Sequence, residues 1–371
     1  MIYLDYAANT PVDEEVLNTF NEVTKKYIAN PNSSHTLGLE AKNKIDESSE
    51  IVAKYFKTDS SNIIYTSGSS ESNNLVIKGI CERYRTKGNH IIISALEHSS
   101  VVAPVNYLSN NGFEVTVIGV TNEGTIDIEE LKKSITDKTI LVSICAVDSE
   151  LGTIQPIEEI GTIVSNYPNC VFHTDATQAI GKIDIDYSNV DFITFAPHKF
   201  YGLNGFGALI NRNNIKLVPL IHGGKSTTIY RSGTPVTANV VSLAKALELA
   251  TTNLKDRYSY ISELNKYLRD NLSNISCIHI NSPLKSIPNT LNFSLIGISN
   301  KDVVDKLQEK EIYVSTTTAC SLGTAPSKSV LAITGDEELA SNTIRISMSH
   351  FTKKEDIDIF LNELKSIIKS L

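Results

Sequence analysis

FAPHKFYG, residues 195–202, follows the apolar run VDFIT (190–194) and precedes the apolar run GFGALIN (205–211). Lys199 therefore stands at the end of a strand-like segment, where burial disfavours the charged form of an amine and leaves more of the neutral nucleophile. The neutral amine is the form that attacks an aldehyde to give a Schiff base. A lone lysine at a strand end more often points into solvent, so the role of Lys199 depends on the rest of the chain.

The run before Lys199 is one of a series of short apolar segments that alternate with helical patterns. The strand-like segments are NIIYTSG (62–68), HIIISALEH (90–98), FEVTVIGV (113–120), TILVSICAV (139–147), CVFHTDA (170–176), VDFITFA (190–196) and GFGALIN (205–211). Segments with helical spacing, such as ESNNLVIKGICERYRTKG and PIEEIGTIVSNYP, lie between them. This alternation predicts an α/β protein with a mainly parallel sheet covered by helices on both faces.

The chain of 371 residues is long enough for two domains. A long helical stretch after residue 232 ends the alternating part, and strands mixed with helices follow it. We therefore expect a large domain over 14–250 and a smaller α+β domain over 251–371, with the N-terminal segment 1–13 packing against the smaller one. Ligands of open α/β sheets bind at the carboxyl ends of the parallel strands, so we expect the functional residues there.

The composition is that of an ordinary globular protein, with 41% hydrophobic and 20% charged residues. The formal net charge of -8 argues against a nucleic-acid-binding surface. The sequence has no apolar stretch long enough to span a bilayer, and MIYLDYAANT (1–10) lacks the regions of a signal peptide. We expect a cytoplasmic protein without membrane or direct nucleic-acid contacts.

The cysteines are scattered and show neither a CxxC pair nor a histidine at metal-ligand spacing, so we expect no metal site and no disulfide framework. Cys145, Cys170 and Cys277 lie in apolar runs and are predicted to be core residues. Cys320 lies in VSTTTACSLGTAPS (314–327), whose composition is typical of an exposed, mobile loop.

Polar side chains follow several of the predicted strands. YTSGSSESNN (65–74) opens a helix with Ser69 and Ser70 and offers N–H groups, hydroxyls and a positive dipole end to an anion. No GK[ST] follows, so a nucleoside triphosphate is disfavoured. His98 follows HIIIS (90–94), and singly it is more often a hydrogen-bonded structural residue.

Asp175 ends CVFH, and Gln178 follows one turn later. An aspartate in this position is usually a helix cap. A phosphate cradle, a flat ring, an acid and the amine of Lys199 are, taken together, the parts needed to hold pyridoxal 5'-phosphate. The lysine forms the bond to the cofactor aldehyde, and the aspartate keeps the pyridine nitrogen protonated.

With these residues in place, the chain resembles the cysteine desulfurases of the NifS and IscS type, pyridoxal phosphate enzymes of fold type I in the class V aminotransferase group. The motifs that carry the resemblance are LDYAANTPV (4–12), NPNSSH (30–35), TSGSSESNN (66–74), EH (97–98), ELGTIQPI (150–157), HTDATQAIGK (173–182), HKFYG (198–202), RSGT (231–234), the Cys320 segment and NTIRISM (342–348). They run along nearly the whole chain, in the family's order and spacing.

The resemblance implies that Lys199 is the Schiff-base lysine and moves the proton of the substrate Cα, and that His98 stacks on the cofactor ring and takes part in proton transfer. It implies that Arg345 clamps the substrate carboxylate, with Ser149 touching the cofactor and the substrate. The further implied cofactor contacts are Asp175 at the ring nitrogen, Gln178 at the ring oxygen, and Ser69, Ser70, His198 and, from the other subunit of a homodimer, Thr234 at the phosphate.

The resemblance also implies that Cys320 is the nucleophile. Its thiolate attacks the sulfur of L-cysteine, giving a persulfide on Cys320 and releasing L-alanine. The length of the stretch from Cys320 to SVL (329–331) matches the long-loop branch of the family. This implies direct transfer of the sulfur to an acceptor protein, an iron-sulfur scaffold or a tRNA-thiolation enzyme.

The chain departs from the family pattern at the site. Asp148-Ser149-Glu150 replaces Asn-Asn-Glu, Ala196 replaces a serine, and both GGKSTTIYRSGT (223–234) and the residues around Cys320 are altered. A related enzyme acting on selenocysteine or another amino acid is therefore an alternative hypothesis. A non-catalytic sulfur-handling scaffold is another, although a scaffold has no need of Lys199, Asp175, Arg345 and Cys320 together.

Overall fold

The computed structural model describes residues 1–316 and 325–371 of the chain. The strands are β1 (Ile2–Tyr3), β2 (Ile63–Thr66), β3 (His90–Ser94), β4 (Glu114–Ile118), β5 (Thr139–Ser143), β6 (Val171–Asp175), β7 (Phe192–Phe195), β8 (Gly207–Asn211), β9 (Ile278–Ile280), β10 (Thr290–Leu295), β11 (Ile312–Tyr313) and β12 (Thr343–Ser347). The α-helices are α1 (Glu14–Lys26), α2 (Thr36–Phe56), α3 (Ser69–Tyr84), α4 (Ser99–Ser109), α5 (Ile128–Ser134), α6 (Ile157–Val164), α7 (Thr237–Thr252), α8 (Leu254–Leu272), α9 (Asn300–Glu309), α10 (Lys328–Thr334), α11 (Glu337–Ser341) and α12 (Lys354–Ser370). Short 3-10 turns cover Ser60–Asn62 and Pro197–Lys199.

The largest sheet has the strand order β2-β8-β7-β6-β5-β3-β4. The pairs from β4 to β7 are parallel, and β8 runs antiparallel between β7 and β2. Successive residues of β3 are buried on opposite faces: Ile92 packs with α2, α6 and α7, whereas Ile91 and Ile93 pack with α3 and α4. Burial on both faces explains the continuous apolar runs, and the predicted α/β class with a mainly parallel sheet is confirmed.

The C-terminal part of the chain forms a smaller sheet of antiparallel strands, in the order β12-β10-β9. Its apolar side chains pack with those of α8, α9 and α12, and Leu4 belongs to the same cluster. β1 pairs with β11, so the N-terminal residues lie beside this part of the chain. The long helical stretch after residue 232 is two helices that meet at Asn253, and the domain boundary near residue 250 stays a prediction.

Cys145 and Cys170 are buried, as expected, but Cys277 is partly exposed, so its predicted core position is wrong. Cys277 lies in the turn before β9, an edge strand whose residues are themselves only partly covered. Cys320 lies outside the described residues. Among the helices of 1–316 and 325–371, none is long and apolar enough to cross a membrane.

Candidate active site

A cavity of about 170 Å³ opens beyond the carboxyl ends of β5, β6 and β7. The predicted site residues that line it are Ser69, Ser70, His98, Ser149, Asp175, Gln178, His198, Lys199 and Arg345. The strand-end position follows from the topology, because loops after neighbouring parallel strands meet at one edge of the sheet. The cavity is also lined by Ala7, Ala8, Leu96, Cys145, Val147 and Thr177, to which the sequence assigned no role at the site.

Thr234 does not line this cavity. It lies in a separate cavity of about 130 Å³ that it shares with Ser67 and Arg231. Arg231 reaches back to the start of α3, where its Nε lies 2.9 Å from the Oε1 of Glu71. The contribution of Thr234 to the site of a second subunit stays a prediction, and so does the role of Cys320.

Lys199 ends the 3-10 turn that follows β7, rather than the strand itself. The lysine is half-buried, and its Nζ donates to the carbonyl oxygens of Ala7 (2.7 Å) and Ala8 (2.6 Å). The N–H of Ala7 in turn donates to the Oγ of Ser347 at 2.9 Å. The N-terminal segment thus holds the amine at the cavity wall through main-chain oxygens, which leave no side-chain signature in the sequence.

Asp175 is held at the cavity by a hydrogen-bond network. Its Oδ2 accepts from the Nδ2 of Asn73 at 2.7 Å, and its Oδ1 accepts from the N–H of Thr177 at 3.0 Å. Asn73 Nδ2 also donates to Ser100 Oγ at 2.9 Å, and Ser100 Oγ lies 2.7 Å from the Nδ1 of His98. Asn73 was missed because its partners, Ser100 and Asp175, lie on other elements, and Ser100 was missed because its link to Asp175 passes through Asn73.

The two histidines of the cavity are neutral at neutral pH. Burial lowers the pKa of His98, and burial together with the charges of Lys199 and Lys182 lowers the pKa of His198 to about 4. His98 Nδ1 accepts a hydrogen bond from the N–H of Ser100 at 3.1 Å, so its ring proton is on Nε2. His98 therefore offers an uncharged flat ring to the cavity.

Arg345, in β12, is almost completely buried, and its guanidinium keeps spare donor capacity. Nη2 lies 2.8 Å from the Oδ1 of Asp5, and Nη1 donates to the carbonyl oxygen of Ser149 at 3.0 Å. Nε is buried and has no hydrogen-bond partner among the described residues. A buried donor without a partner is costly, so this arginine suits an anionic ligand in the cavity.

The opening of α3 forms the other anion-binding end of the cavity. Ser69 and Ser70 are the first two residues of this helix, which supplies N–H groups and the positive end of its dipole. Gly68 precedes them and lies against β8: a Cβ on Gly207 would come within 2.7 Å of the Gly68 Cα. Glycine at 207 is therefore required for the turn to lie where it does.

These features fit pyridoxal 5'-phosphate. The cavity combines an anion-binding helix end, the carboxylate of Asp175 and the amine of Lys199. The Oγ1 of Thr177 is a buried polar atom with no partner in the described ranges, and Thr177 lines the same cavity. Such unpaired groups indicate a polar ligand rather than an apolar one.

Only Ser149 of the altered Asp148-Ser149-Glu150 segment lines the cavity. Asp148 is buried and accepts from the Oγ of Ser329 at 2.8 Å, and Glu150 accepts from the Oγ of Ser327. Burial and the neighbouring Asp148 raise the pKa of Glu150 to about 7. The two acids thus attach the start of α10 to the site. The sequence of this segment gave no indication of that contact.

The chain is similar along its length to the sequences of one protein family and to several solved structures. The sequence profile of the family described as "Aminotransferase class-V" matches residues 2–360. A protein of Dictyoglomus turgidum named "Cysteine desulfurase IscS" is 39% identical over 375 residues, covering 100% of this chain and 95% of that protein. A solved structure described as "NIFS-LIKE PROTEIN" has a TM-score of 0.94 and 34% identity and covers 100% of both chains. Another, "SspA in complex with cysteine", has a TM-score of 0.83 and 33% identity and covers 95% of this chain and 100% of the other.

Proposed function

The chain belongs to the class V aminotransferase family, and from its full-length likeness to cysteine desulfurases we infer that it shares their activity. We propose that it uses pyridoxal 5'-phosphate to convert L-cysteine to L-alanine and passes the sulfur to Cys320. The observation that carries the proposal is the single cavity that gathers Lys199, Asp175, Arg345 and the start of α3. A scaffold has no need of these four features together.

In this proposal some residues of the cavity bind the cofactor and others bind the amino acid. Ser69, Ser70 and His198 hold the phosphate, Asp175 faces the ring nitrogen, and Gln178 faces the ring oxygen. When bound, the cofactor supplies an electron-withdrawing ring that takes up the electrons left when the Cα–H bond of an amino acid breaks. Asp175 supports this by keeping a negative charge beside the protonated ring nitrogen.

The protein contributes orientation and proton transfer. Arg345 lines the cavity and binds the α-carboxylate of L-cysteine, for which Nη1 and Nη2 each keep an N–H besides those that bond Ser149 and Asp5. Lys199 would hold the cofactor through its amine and would accept the proton of the substrate Cα. His98 lines the cavity and carries its ring proton on Nε2, so this N–H can donate a hydrogen bond during proton transfer.

Cys320 completes the proposed reaction as the sulfur acceptor. Its thiolate attacks the sulfur of the bound substrate, an S–S bond forms, the C–S bond breaks, and the substrate carbon is protonated to give L-alanine. The main chain of Ser315 pairs with that of Arg345, with the N–H of Arg345 donating to the Ser315 carbonyl at 2.6 Å. Cys320 follows Ser315 by five residues in the sequence, and five residues of chain span at most about 18 Å.

We further propose a homodimer in which Thr234 contributes to the phosphate site of the partner subunit. Thr234 is separated from the Lys199 cavity within one protomer. Ile229 and Val236, in the same segment, are 66% and 53% exposed, which suits an interface between subunits. The sulfur would then pass to an acceptor protein, an iron-sulfur scaffold or a tRNA-thiolation enzyme.

A single-turnover reaction of the cofactor-loaded protein with L-cysteine tests the proposed function. We expect one L-alanine per site and, by mass spectrometry, a gain of one sulfur on the peptide that contains Cys320. D-Cysteine provides the matched control, because with its carboxylate and amine placed as in the L-isomer, its Cα–H and its thiol-bearing side chain exchange places. Bound cofactor with neither alanine nor persulfide would contradict the proposal and favour another amino acid as the substrate.

Arg345→Lys should raise the KM for L-cysteine about 10- to 100-fold while the visible absorbance of the bound cofactor is kept. The reason is that a lysine cannot form the paired hydrogen bonds of a guanidinium, and one charge-assisted hydrogen bond contributes about 1.5–3 kcal/mol. Steady-state kinetics and an absorbance spectrum measure both effects. Arg269→Lys is the control, because its guanidinium donates to the carbonyl oxygens of Ser282 and Pro283 instead. An unchanged KM would remove Arg345 from the substrate site.

A further inference from the structure

Lys182 is a buried lysine next to the cavity, and the proposed reaction gives it no role. It is 9% exposed, which is rare for a lysine, and it follows Gln178 by four positions in the turns after β6. Its Nζ donates to the Oε1 of Gln178. Burial and the charges of Lys199 and Arg345 lower the pKa of Lys182 to about 7.

The two contacts of the Gln178 side chain fix the orientation of its amide. The ammonium form of Lys182 can only donate, so the atom of the amide that faces it is the oxygen. The amide nitrogen then donates to the carbonyl oxygen of Ala7 at 3.0 Å, and a carbonyl can only accept. Both neighbours therefore require the same orientation, and turning the amide over would break both hydrogen bonds.

Gln178 lines the cavity, and its amide nitrogen carries a second N–H besides the one bonded to Ala7. In the fixed orientation the group available to a ligand is therefore a donor. A turned amide would instead offer its carbonyl oxygen, which repels an anionic oxygen. The contact between Lys182 and Gln178 thus decides whether this wall of the cavity attracts or repels an anionic ring oxygen.

We propose that Lys182 is a positioning residue that locks the Gln178 amide so that its nitrogen serves the ring oxygen of the cofactor. The inference rests on the proposed function, because pyridoxal 5'-phosphate is what brings such an oxygen to the site. Lys182 itself touches neither the cofactor nor the substrate in this proposal. Its effect passes through Gln178 alone.

Other charged and titratable groups lie around Lys182 and have to be separated from this effect. Lys182 lines a small cavity beside the site. The charged and titratable groups that share this cavity or interact with the charge of Lys182 are Tyr6, His198, Lys199, Tyr201, Arg257, Tyr258, Arg345 and His350. A charge on Lys182 would act directly on Lys199, whatever residue occupies position 178. An effect that passes through the amide would vanish when Gln178 is removed.

A double-mutant cycle tests the proposal, with the cofactor affinity of the apo-protein and the pH midpoint of the visible absorbance as readouts. Lys182→Met should weaken cofactor binding about 10- to 100-fold, the loss expected for one hydrogen bond to a charged acceptor. It should also move the midpoint to higher pH, because a ring oxygen that has lost a donor holds the shared proton more tightly. Gln178→Ala should do the same, and adding Lys182→Met to it should change neither readout further.

Lys182→Arg, which keeps a donor for Oε1, should restore most of the affinity. Lys245→Met is the control for loss of a partly buried lysine, since Lys245 pairs with Glu15 and Glu248. Additive effects of the two substitutions would mean that Lys182 acts through its charge and would overturn the proposal. So would a lower melting temperature with both readouts unchanged. Wild-type protein that binds no cofactor would overturn the proposed function as well, which distinguishes the two failures.

Discussion

Lys199→Ala is expected to remove the visible absorbance of the bound cofactor and to lower alanine formation from L-cysteine by about 10³-fold or more. The substitution deletes both the amine that attaches the cofactor and the group that carries the Cα proton. The surrounding fold should persist, because Lys199 is half-buried and the carbonyl oxygens of Ala7 and Ala8, to which its Nζ donates, can bind water instead. Absorbance spectra and an alanine assay on the loaded protein measure the two losses.

Lys182 is a second amine beside the cavity, so the Lys199→Ala experiment also tests which of the two lysines attaches the cofactor. Its amine lies near that of Lys199, and burial lowers its pKa to about 7, so part of it is a neutral nucleophile at neutral pH. If the Lys199→Ala protein keeps the absorbance and the alanine formation, the cofactor is attached to Lys182 and the assignment of Lys199 is wrong. A small primary amine added to the variant should restore some alanine formation if proton transfer is the missing step.

The order of strands and helices was predictable because local patterns decide it. A strand buried on both faces is apolar at every position, as in HIIIS of β3 and FITF of β7, and helical periodicity fills the gaps between the strands. The strand-end location of His98, Asp175 and Lys199 then followed from the parallel topology. The predicted core position of Cys277 was wrong because an apolar run alone does not distinguish a central strand from a turn before an edge strand.

The supporting residues of the site were not predictable, because they act through partners that are distant in the sequence. Asp5 and Arg345 are separated by 340 positions, and Asn73 reaches Asp175 across 102. The carbonyl groups of Ala7 and Ala8 bind Lys199 without any contribution from their side chains. A single sequence records which side chains are present, whereas these contacts depend on how the chain closes on itself.

The sequence shows that the Asp148-Ser149-Glu150 segment departs from the family pattern, but only the structure shows what these residues contact. Ser149 lines the cavity, whereas Asp148 and Glu150 accept hydrogen bonds from Ser329 and Ser327 at the start of α10. Those serines follow Cys320 by nine and seven positions. Asp148, which replaces an asparagine of the family pattern, and Glu150, which the pattern keeps, therefore attach the chain that follows Cys320 to the site. This makes the role of Cys320 the central question of the mechanism.

Cys320→Ser should leave cofactor absorbance and L-cysteine binding intact and lower alanine formation by at least about 100-fold, because a hydroxyl cannot attack the substrate sulfur as a thiolate does. No persulfide should appear on the protein. The measurements are the absorbance change on adding L-cysteine, the alanine released, and the mass of the cysteine-containing peptides. Persulfide formation at the wild-type rate in this variant would rule out Cys320 as the nucleophile.

Cys145 is the rival thiol, because it lines the cavity and is buried. Burial and the nearby carboxylates of Glu97, Asp148 and Asp175 raise the pKa of Cys145 well above its usual value, so it stays a protonated thiol at neutral pH. Its thiol also faces the carbonyl oxygen of Leu96, at 3.9 Å. Cys145→Ser is therefore the matched control and should form persulfide normally, whereas a sulfur found on Cys145 in the Cys320→Ser protein would transfer the nucleophile's role to the cavity wall.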